Sequence, residues 1–299
     1  MKNSSAKRLF ITLIITLIIF SAEIIGGIIS NSLALLSDAG HVFTDSFAII
    51  LSLIAAIIAK KPSNRKATYG YQKIGILAAF INGVSLIIIA ILIIFEGYRR
   101  LISPPEINSN LMLSVAFFGF LGNLLMALIL GHKHEDLNIK SAWLHVIGDT
   151  VSSIGVIFAG LIIKFTGWIL IDPLISLLVG LIIIYGGSRV IKESLFIFLD
   201  FTPRGFDVNE ITEKIGKIKG ICDIHDLHIW SIGYGIPAFS AHVVVDVKLL
   251  SEADKIRSEI EAELIKIGIK HSVIQIESCK CSKNSFYCNL GHPHSDIHN

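Results

Sequence analysis

The chain has 299 residues, of which 53% are hydrophobic and 17% are charged, and its mean hydropathy is +0.69. Soluble domains carry roughly 25% charged residues, so this composition excludes an ordinary soluble domain and indicates a membrane protein. The formal net charge of +2 is too small to indicate a nucleic-acid partner.

Six apolar segments are long enough to cross a lipid bilayer, for which a helix needs about 20 residues. They cover residues 9–29, 37–58, 74–95, 111–130, 141–163 and 171–191. The first segment follows Lys7 and Arg8, as the apolar part of a signal peptide would. It continues to Ile29 without a small-residue cleavage site, so we interpret it as a membrane span.

The short loops between the spans predict the orientation, because Lys and Arg concentrate on the cytoplasmic side of membrane proteins. Basic residues lie in the N-terminal arm, after the second and fourth spans, and at the end of the sixth span. All four regions fall on one side of a six-span protein and outnumber Arg99 and Arg100 on the other side. We therefore expect a multi-pass protein of the cell membrane with both termini in the cytoplasm.

Ionisable residues interrupt the second and fifth spans, where each costs about 2.5–3.5 kcal/mol to insert. The spacing His-x-x-x-Asp occurs twice, as His41 with Asp45 and as His145 with Asp149. Residues four apart lie on one face of a helix, so each pair offers an imidazole and a carboxylate together. Asp38 falls near the same face of the second span. The alternative is that these side chains only form hydrogen bonds between helices.

The two pairs together predict a metal site halfway through the bilayer. The segments HVFTDS and HVIGDT resemble each other, as inverted halves of a transporter would, and such halves bring both pairs to mid-depth. Two imidazole nitrogens and two carboxylate oxygens suit a tetrahedral Zn²⁺. Without the ion, the same atoms attract protons, so metal and protons compete for one site. That competition is the chemistry of an antiporter.

After residue 203 the charged residues return, and the pattern changes to that of a small α+β domain. It predicts a helix, two strands, a helix and a strand (αββαβ) over residues 207–219, 221–232, 238–247, 251–267 and 273–277. The expected fold is an α-helical membrane protein with six transmembrane helices and a C-terminal cytoplasmic domain. We place the transport domain at 1–203, the cytoplasmic domain at 204–281 and a tail at 282–299.

Histidines on these strands predict a second metal site. His225 and His228 are three apart on a strand and should point to opposite faces, so they cannot easily share one ion. Antiparallel pairing of the strands could bring His225, His242 and Glu277 together as a zinc-like set that lacks one ligand. His271, or the pair Cys279 and Cys281, could complete it. The alternative is a sheet with ordinary surface histidines.

Two further stretches contain possible metal ligands, and each has two interpretations. The tail contains Cys288, His292, His294 and His298, and the loop 131–136 reads GHKHED. The clustering of cysteines near histidines favours reduced thiols over a disulfide framework. Both stretches could collect metal, or they could simply be solvated segments.

Five motifs resemble those of the cation diffusion facilitator family, in its zinc-exporting branch of the CzcD and ZitB type. They are LSDAGHVFTD (36–45), TYGYQKIGILAAF (68–80), SAWLHVIGDTVSSIGV (141–156), DPLISLLVG (172–180) and HDLHIWSI (225–232). The resemblance implies a six-span homodimer with metallochaperone-like C-terminal domains that exchanges Zn²⁺ for H⁺ by alternating access. Cd²⁺ and Co²⁺ are further candidate substrates.

The resemblance also assigns the metal ligands. It implies transport ligands at His41, Asp45, His145 and Asp149, and cytoplasmic metal positions at His225, His242, His271 and Glu277. Zn²⁺ would then be both the substrate and a regulatory ligand, with no other cofactor. Some relatives have an Asp/His site in the loop after the second span, but KKPSNRKATYGYQ lacks such ligands here.

Two other classes of function could use the same intramembrane residues. A membrane metalloenzyme would need an acid–base Glu beside an open zinc position, as in H-E-x-x-H, and the sequence has no such motif. A membrane metal sensor would signal through its cytoplasmic domain, and no output domain is recognisable in the sequence. We therefore expect a transporter and not an enzyme.

Overall fold

The coordinates are a computed structural model that describes residues 2–131, 137–247 and 249–278. The side chains of residues 2–10, 137–142, 144 and 145 lie outside the described part. The same is true of several predicted ligands, namely the side chain of His145, the histidines of the loop 132–136, Cys279, Cys281 and the tail.

Within the described residues, six long helices precede the C-terminal domain. They are α1 (Lys2–Ser30), α2 (Leu33–Ala59), α3 (Ile74–Ile102), α4 (Ser109–Leu130), α5 (Leu137–Thr166) and α6 (Ile171–Phe198). Each contains a stretch that is long and apolar enough to cross a membrane, which confirms the six predicted spans. The chain divides by its contacts into two compact units, Met1–Leu53 with Ala79–Ile191 and Ile54–Ala78 with Lys192–Asn299.

The third helix continues beyond its predicted end because charged side chains pair along its surface. The guanidinium of Arg100 donates to Glu96 at 2.9 Å, and Arg99 lies 3.6 Å from the same carboxylate. These pairs are spaced three and four residues apart, the spacing that stabilises a helix. Hydropathy alone predicts that the span ends at residue 95, because the charged residues begin at Glu96.

Within the first unit, α3 and α6 approach each other closely at two glycines. A Cβ atom at Gly83 would lie 3.2 Å from the carbonyl oxygen of Gly187, and one at Gly187 would lie 3.1 Å from that of Gly83. Small residues at such crossings let the backbones of membrane helices touch. These glycines therefore serve packing.

The start of α2 is held by a carboxyl group of α6. Asp172 is fully buried, and its oxygens accept hydrogen bonds from the Ser32 hydroxyl at 2.6 Å and the backbone amides of Leu33 at 2.7 Å and Ala34 at 3.1 Å. The first amides of a helix have no partner inside the helix, and a carboxyl group also suits the positive end of its dipole. Asp172 therefore fixes the first turn of α2.

The second unit contains the C-terminal domain, with α7 (Val208–Gly216), β1 (Ile221–Gly233), β2 (Ile236–Val245), α8 (Leu250–Lys266) and β3 (His271–Glu277). This order confirms the predicted αββαβ pattern. Asp207 caps α7 by accepting from the amides of Asn209 and Glu210. Helix residues such as Ile211 and Ile260 pack with Phe239 and Val243 of β2 in one core.

The three strands form one sheet in the order β1-β2-β3. The β1 and β2 strands are antiparallel, as predicted, but β3 runs parallel to β2. The expectation of antiparallel pairing throughout is therefore wrong for β3. The reason is that α8 carries the chain back across the domain before β3 begins, and such a crossover produces a parallel pair.

Candidate metal centres

The first candidate centre lies between α2 and α5. His41 and Asp45 are one turn apart on α2, with His41 Nε2 3.6 Å from Asp45 Oδ2. Asp149 of α5 faces them and is buried. One ligand atom from each of the three residues lies within 4.8 Å of the others. The structure thus brings three of the four predicted transport ligands together.

His145 is the fourth predicted ligand. Its backbone lies in α5, four residues before Asp149, while its side chain is outside the described part of the chain. Residues four apart occupy the same helix face, so the backbone position suits a ligand. Its participation remains a prediction.

Hydrogen bonds beside this centre join the helices that carry it. Asp38, one turn before His41, accepts from the Ser152 hydroxyl of α5 at 2.6 Å. Asn123 of α4 donates to the hydroxyl of Ser153 at 3.2 Å. Asp38 therefore links α2 to α5 beside the ligands, and Asn123 links α4 to α5.

The ligand types at this centre suit a divalent cation. Zinc bonds of about 2.0–2.2 Å in a tetrahedral arrangement place ligand atoms about 3.3–3.6 Å apart, and the His41–Asp45 separation of 3.6 Å matches this range. Two carboxylates balance the double charge of the ion. A centre of one imidazole and two carboxylates leaves at least one coordination position for a further ligand such as His145.

The second candidate centre lies on the sheet of the C-terminal domain. His225 of β1 pairs directly with His242 of β2, and Glu277 ends β3 beside them. Glu277 Oε2 lies 3.5 Å from His225 Nε2, and Glu277 Oε1 lies 2.9 Å from His242 Nδ1. All three side chains are partly buried, and their ligand atoms lie within 4.8 Å of one another. They form the predicted set of two nitrogens and one carboxylate.

A β-bulge changes the expected position of His228. His225 pairs with His242 and His228 pairs with Ser240, so three steps along β1 match two steps along β2. The expectation that His225 and His228 point to opposite faces is therefore wrong, because the extra residue restores both to one face. Asp226, in the bulge, has a left-handed backbone with φ of 49°.

Asp226 is a functional candidate that the sequence reasoning missed. Its Oδ1 lies 2.9 Å from His228 Nε2, and its Oδ2 lies 3.5 Å from His242 Nε2. Strand periodicity assigns Asp226 to the opposite face from His225, which hides this contact. The sequence does contain a signal for this contact. Asp226 lies between His225 and His228, and their spacing of three does not match the alternation of a regular strand.

The other predicted ligands do not join the second centre in the described structure. His271 begins β3 and Glu277 ends it, so they lie about 20 Å apart at about 3.3 Å per residue. The His271 ring instead contacts Tyr69 edge-on, with ring centroids 5.6 Å apart. His271 therefore does not complete this set within one chain, while Cys279 and Cys281 lie outside the described residues.

Comparison with known proteins gives two family matches. The cation efflux transmembrane domain matches residues 9–199, and the cation efflux protein cytoplasmic domain matches residues 203–279. A cadmium, cobalt and zinc/H(+)-K(+) antiporter of Bacillus subtilis is 43% identical over 93% of this chain and 90% of its own length. The zinc transporter ZitB of Escherichia coli is 33% identical over 97% of this chain and 93% of its own length.

Two further matches carry the name CzcD. The metal cation efflux system protein CzcD of Cupriavidus metallidurans is 37% identical over 94% of this chain and 89% of its own length. The solved metal-bound C-terminal domain of the CzcD transporter from Cuprividus metallidurans is 33% identical, with a TM-score of 0.23. That domain covers 24% of this chain and 99% of its own length.

Proposed function

The chain belongs to the cation efflux family of membrane transporters, and we propose that it exports Zn²⁺ from the cytoplasm in exchange for protons. The observation that carries the proposal is the meeting of His41, Asp45 and Asp149 between two membrane helices. Ionisable groups at such depth are costly unless they bind a substrate or each other. His145 is the proposed fourth ligand.

The exchange follows from what these side chains do with and without the ion. A bound Zn²⁺ takes a lone pair from one atom of each imidazole and each carboxylate, so each of these ligand atoms must first give up any proton that it carries. When the ion leaves, the carboxylates remain in a medium where charge is poorly solvated. Protons then bind to the carboxylates in place of the ion. Alternating exposure of the centre to the two sides then moves Zn²⁺ and protons in opposite directions.

The ligand set favours Zn²⁺ and tolerates related ions. Two imidazoles with two carboxylates in a tetrahedral arrangement suit zinc, while Cd²⁺ and Co²⁺ accept the same donor atoms. The Bacillus subtilis relative is named for cadmium, cobalt and zinc, and ZitB for zinc. We place Zn²⁺ first and the other two ions as further substrates.

The second centre, on the C-terminal domain, is proposed to bind Zn²⁺ as a regulatory ligand. His225, His242 and Glu277 supply two nitrogens and a carboxylate, which fit zinc with one position left for water or another ligand. We further propose a homodimer in the cell membrane with both termini in the cytoplasm. The basic residues of the loops support that orientation.

Transport across a sealed membrane tests the proposed function. Purified protein in proteoliposomes should move Zn²⁺ in the direction opposite to the proton flow that an imposed pH gradient drives. Asp149→Asn should reduce this zinc flux at least a hundredfold. Thr150→Val is the matched control, because in the described part of the chain the Thr150 hydroxyl donates to the Val146 carbonyl of its own helix. Zinc flux in Asp149→Asn equal to that of the control would refute the site, and zinc binding without any flux would favour a sensor.

A further inference from the structure

We propose that Asp226 is a positioning residue that selects the metal-binding nitrogen of His242, and that His228 holds Asp226 in place for this task. The proposal deepens, and rests on, the regulatory Zn²⁺ site proposed for the C-terminal domain. It gives a role to Asp226 and His228, which follow the ligand His225 in the motif HDLHIW.

Six side chains on the outer face of the sheet alternate between carboxylates and imidazoles. Asp223 Oδ2 lies 3.5 Å from His225 Nδ1, and His225 Nε2 lies 3.5 Å from Glu277. The other oxygen of Glu277 lies 2.9 Å from His242 Nδ1. Asp226 continues the series, 3.5 Å from His242 Nε2 and 2.9 Å from His228 Nε2.

The central carboxylate, Glu277, faces one nitrogen of each ligand histidine, and the outer carboxylates face the other nitrogens. A neutral imidazole binds metal through one nitrogen and carries its proton on the other, and a carboxylate at the second nitrogen fixes that choice. Asp223 leaves Nε2 of His225 for the ion. Asp226 leaves Nδ1 of His242 for the ion, so the two histidines bind as opposite tautomers.

The distances around Glu277 indicate which ligand ring would move when an ion binds. Tetrahedral zinc holds two ligand atoms about 3.3–3.6 Å apart, so the His225–Glu277 separation of 3.5 Å already fits, while the His242–Glu277 separation of 2.9 Å is too short. An ion bound between Glu277 and His242 would need the His242 ring to move away from Glu277. Asp226 lies at the other nitrogen of that ring, 3.5 Å away, where it can hold the ring in place.

The bulge supplies the position of Asp226 at a conformational cost. A left-handed backbone is unfavourable for most residues and is tolerated by Asp and Asn, which occur there more often than others. Leu227, buried in the core at 2% exposure, fixes the bulge from the other side of the sheet. The ring of the half-exposed His228 contacts Oδ1 of Asp226, which leaves Oδ2 of Asp226 near His242.

Two substitutions at position 226 separate positioning from folding. Glycine and asparagine both accept the left-handed backbone, so neither Asp226→Gly nor Asp226→Asn adds strain. Only asparagine keeps an oxygen that accepts the proton of His242 Nε2. In purified full-length protein, zinc affinity of the C-terminal centre is measured by competition with a chelator, and the centre is defined as the zinc lost in His225→Ala.

We expect Asp226→Gly to weaken that zinc affinity about 10–100-fold, the usual effect of removing a carboxylate behind a ligand histidine. Asp226→Asn should restore most of it, and His228→Ala should weaken it less than Asp226→Gly. Lys270→Ala, at an exposed residue just before β3, is the control and should change nothing. Nitrogen-15 spectra of metal-free protein should show His242 as one tautomer, with a mixture in Asp226→Gly.

Two results overturn the positioning role. One is zinc affinity in Asp226→Gly within twofold of the wild type while His225→Ala abolishes the site. The other is an equal loss in Asp226→Asn and Asp226→Gly with the His242 tautomer unchanged in both. Unaltered zinc binding in His225→Ala has a different meaning, since it refutes the regulatory site itself.

Discussion

Asp172 of α6 accepts a hydrogen bond of 2.6 Å from the hydroxyl of Ser32, the residue just before α2. The same carboxyl group caps the first amides of α2, the helix that carries His41 and Asp45. The first candidate centre is therefore positioned from a point two turns away, on a helix that contributes none of its ligands among the described residues.

Replacing Asp172 with alanine should destabilise the transmembrane unit and reduce transport. Loss of a helix N-cap alone costs about 0.5–2 kcal/mol, and here the Ser32 hydroxyl also loses its buried partner. Thermal unfolding in detergent should occur at a lower temperature, and zinc flux should fall severalfold. Ser176→Ala is the control, because Ser176 is equally buried on α6 but donates to the backbone carbonyl of Asp172. Equal stability and flux in the two variants would contradict the anchoring role.

The contact between Asp38 and Ser152 predicts a variant that binds zinc but transports it slowly. Ser152→Ala removes the 2.6 Å hydrogen bond that joins α2 to α5 beside the ligands, without removing a ligand. Zinc affinity should change less than about threefold, while the rate of flux should fall about two- to tenfold. Ser114→Ala provides the comparison, since among the described residues the Ser114 hydroxyl donates to the Asn110 carbonyl of its own helix, α4. A Ser152→Ala protein with normal flux would show that the link is dispensable.

Zinc binding to the membrane centre should release protons. Addition of Zn²⁺ to purified protein in a weakly buffered solution should acidify it, because the ligands must be deprotonated to bind. The release should shrink in His41→Ala and again in the double variant with Asp45→Asn. By the same competition, zinc affinity should fall as pH falls. Undiminished proton release from the double variant would place the exchange elsewhere in the protein.

The two centres should be separable by mutation. In the proposed homodimer, zinc binding should change the distance between the two C-terminal domains, which spin labels on the two copies can measure. His225→Ala should abolish that change in distance, while zinc flux at saturating zinc should fall less than about fivefold. Lys270→Ala should leave both properties unchanged. If His225→Ala removed all flux and left the zinc response intact, the assignment of roles would be reversed.

Much of this architecture follows from patterns that act over short distances. Apolar length predicts the six spans, and strand and helix periodicity predict the αββαβ order, because each depends on neighbouring residues. The spacing of four in His41/Asp45 likewise fixes a shared helix face. The helices exceed the predicted spans where salt bridges such as Glu96–Arg100 extend them beyond the apolar stretch.

The features that escaped prediction depend on tertiary contacts. The parallel pairing of β3 arises from the path of α8, and the position of Asp226 arises from one extra residue in β1. The role of Asp172 depends on a partner that is 140 residues away in sequence. Strand alternation predicts that His271 and Glu277 lie on the same face of the sheet. It does not predict the direction of β3, which places His271 at the end of the sheet far from His225.

The bulge in β1 makes the outer carboxylate network sensitive to chain length as well as to residue identity. Removal of Leu227 alone would leave His225 and His228 two positions apart on a regular strand, both still facing outward. Asp226 would then turn toward Phe239 and Val243, where an apolar interior offers a carboxylate no hydration. A single-codon deletion would thus preserve every histidine of the motif and still dismantle the network that orients them.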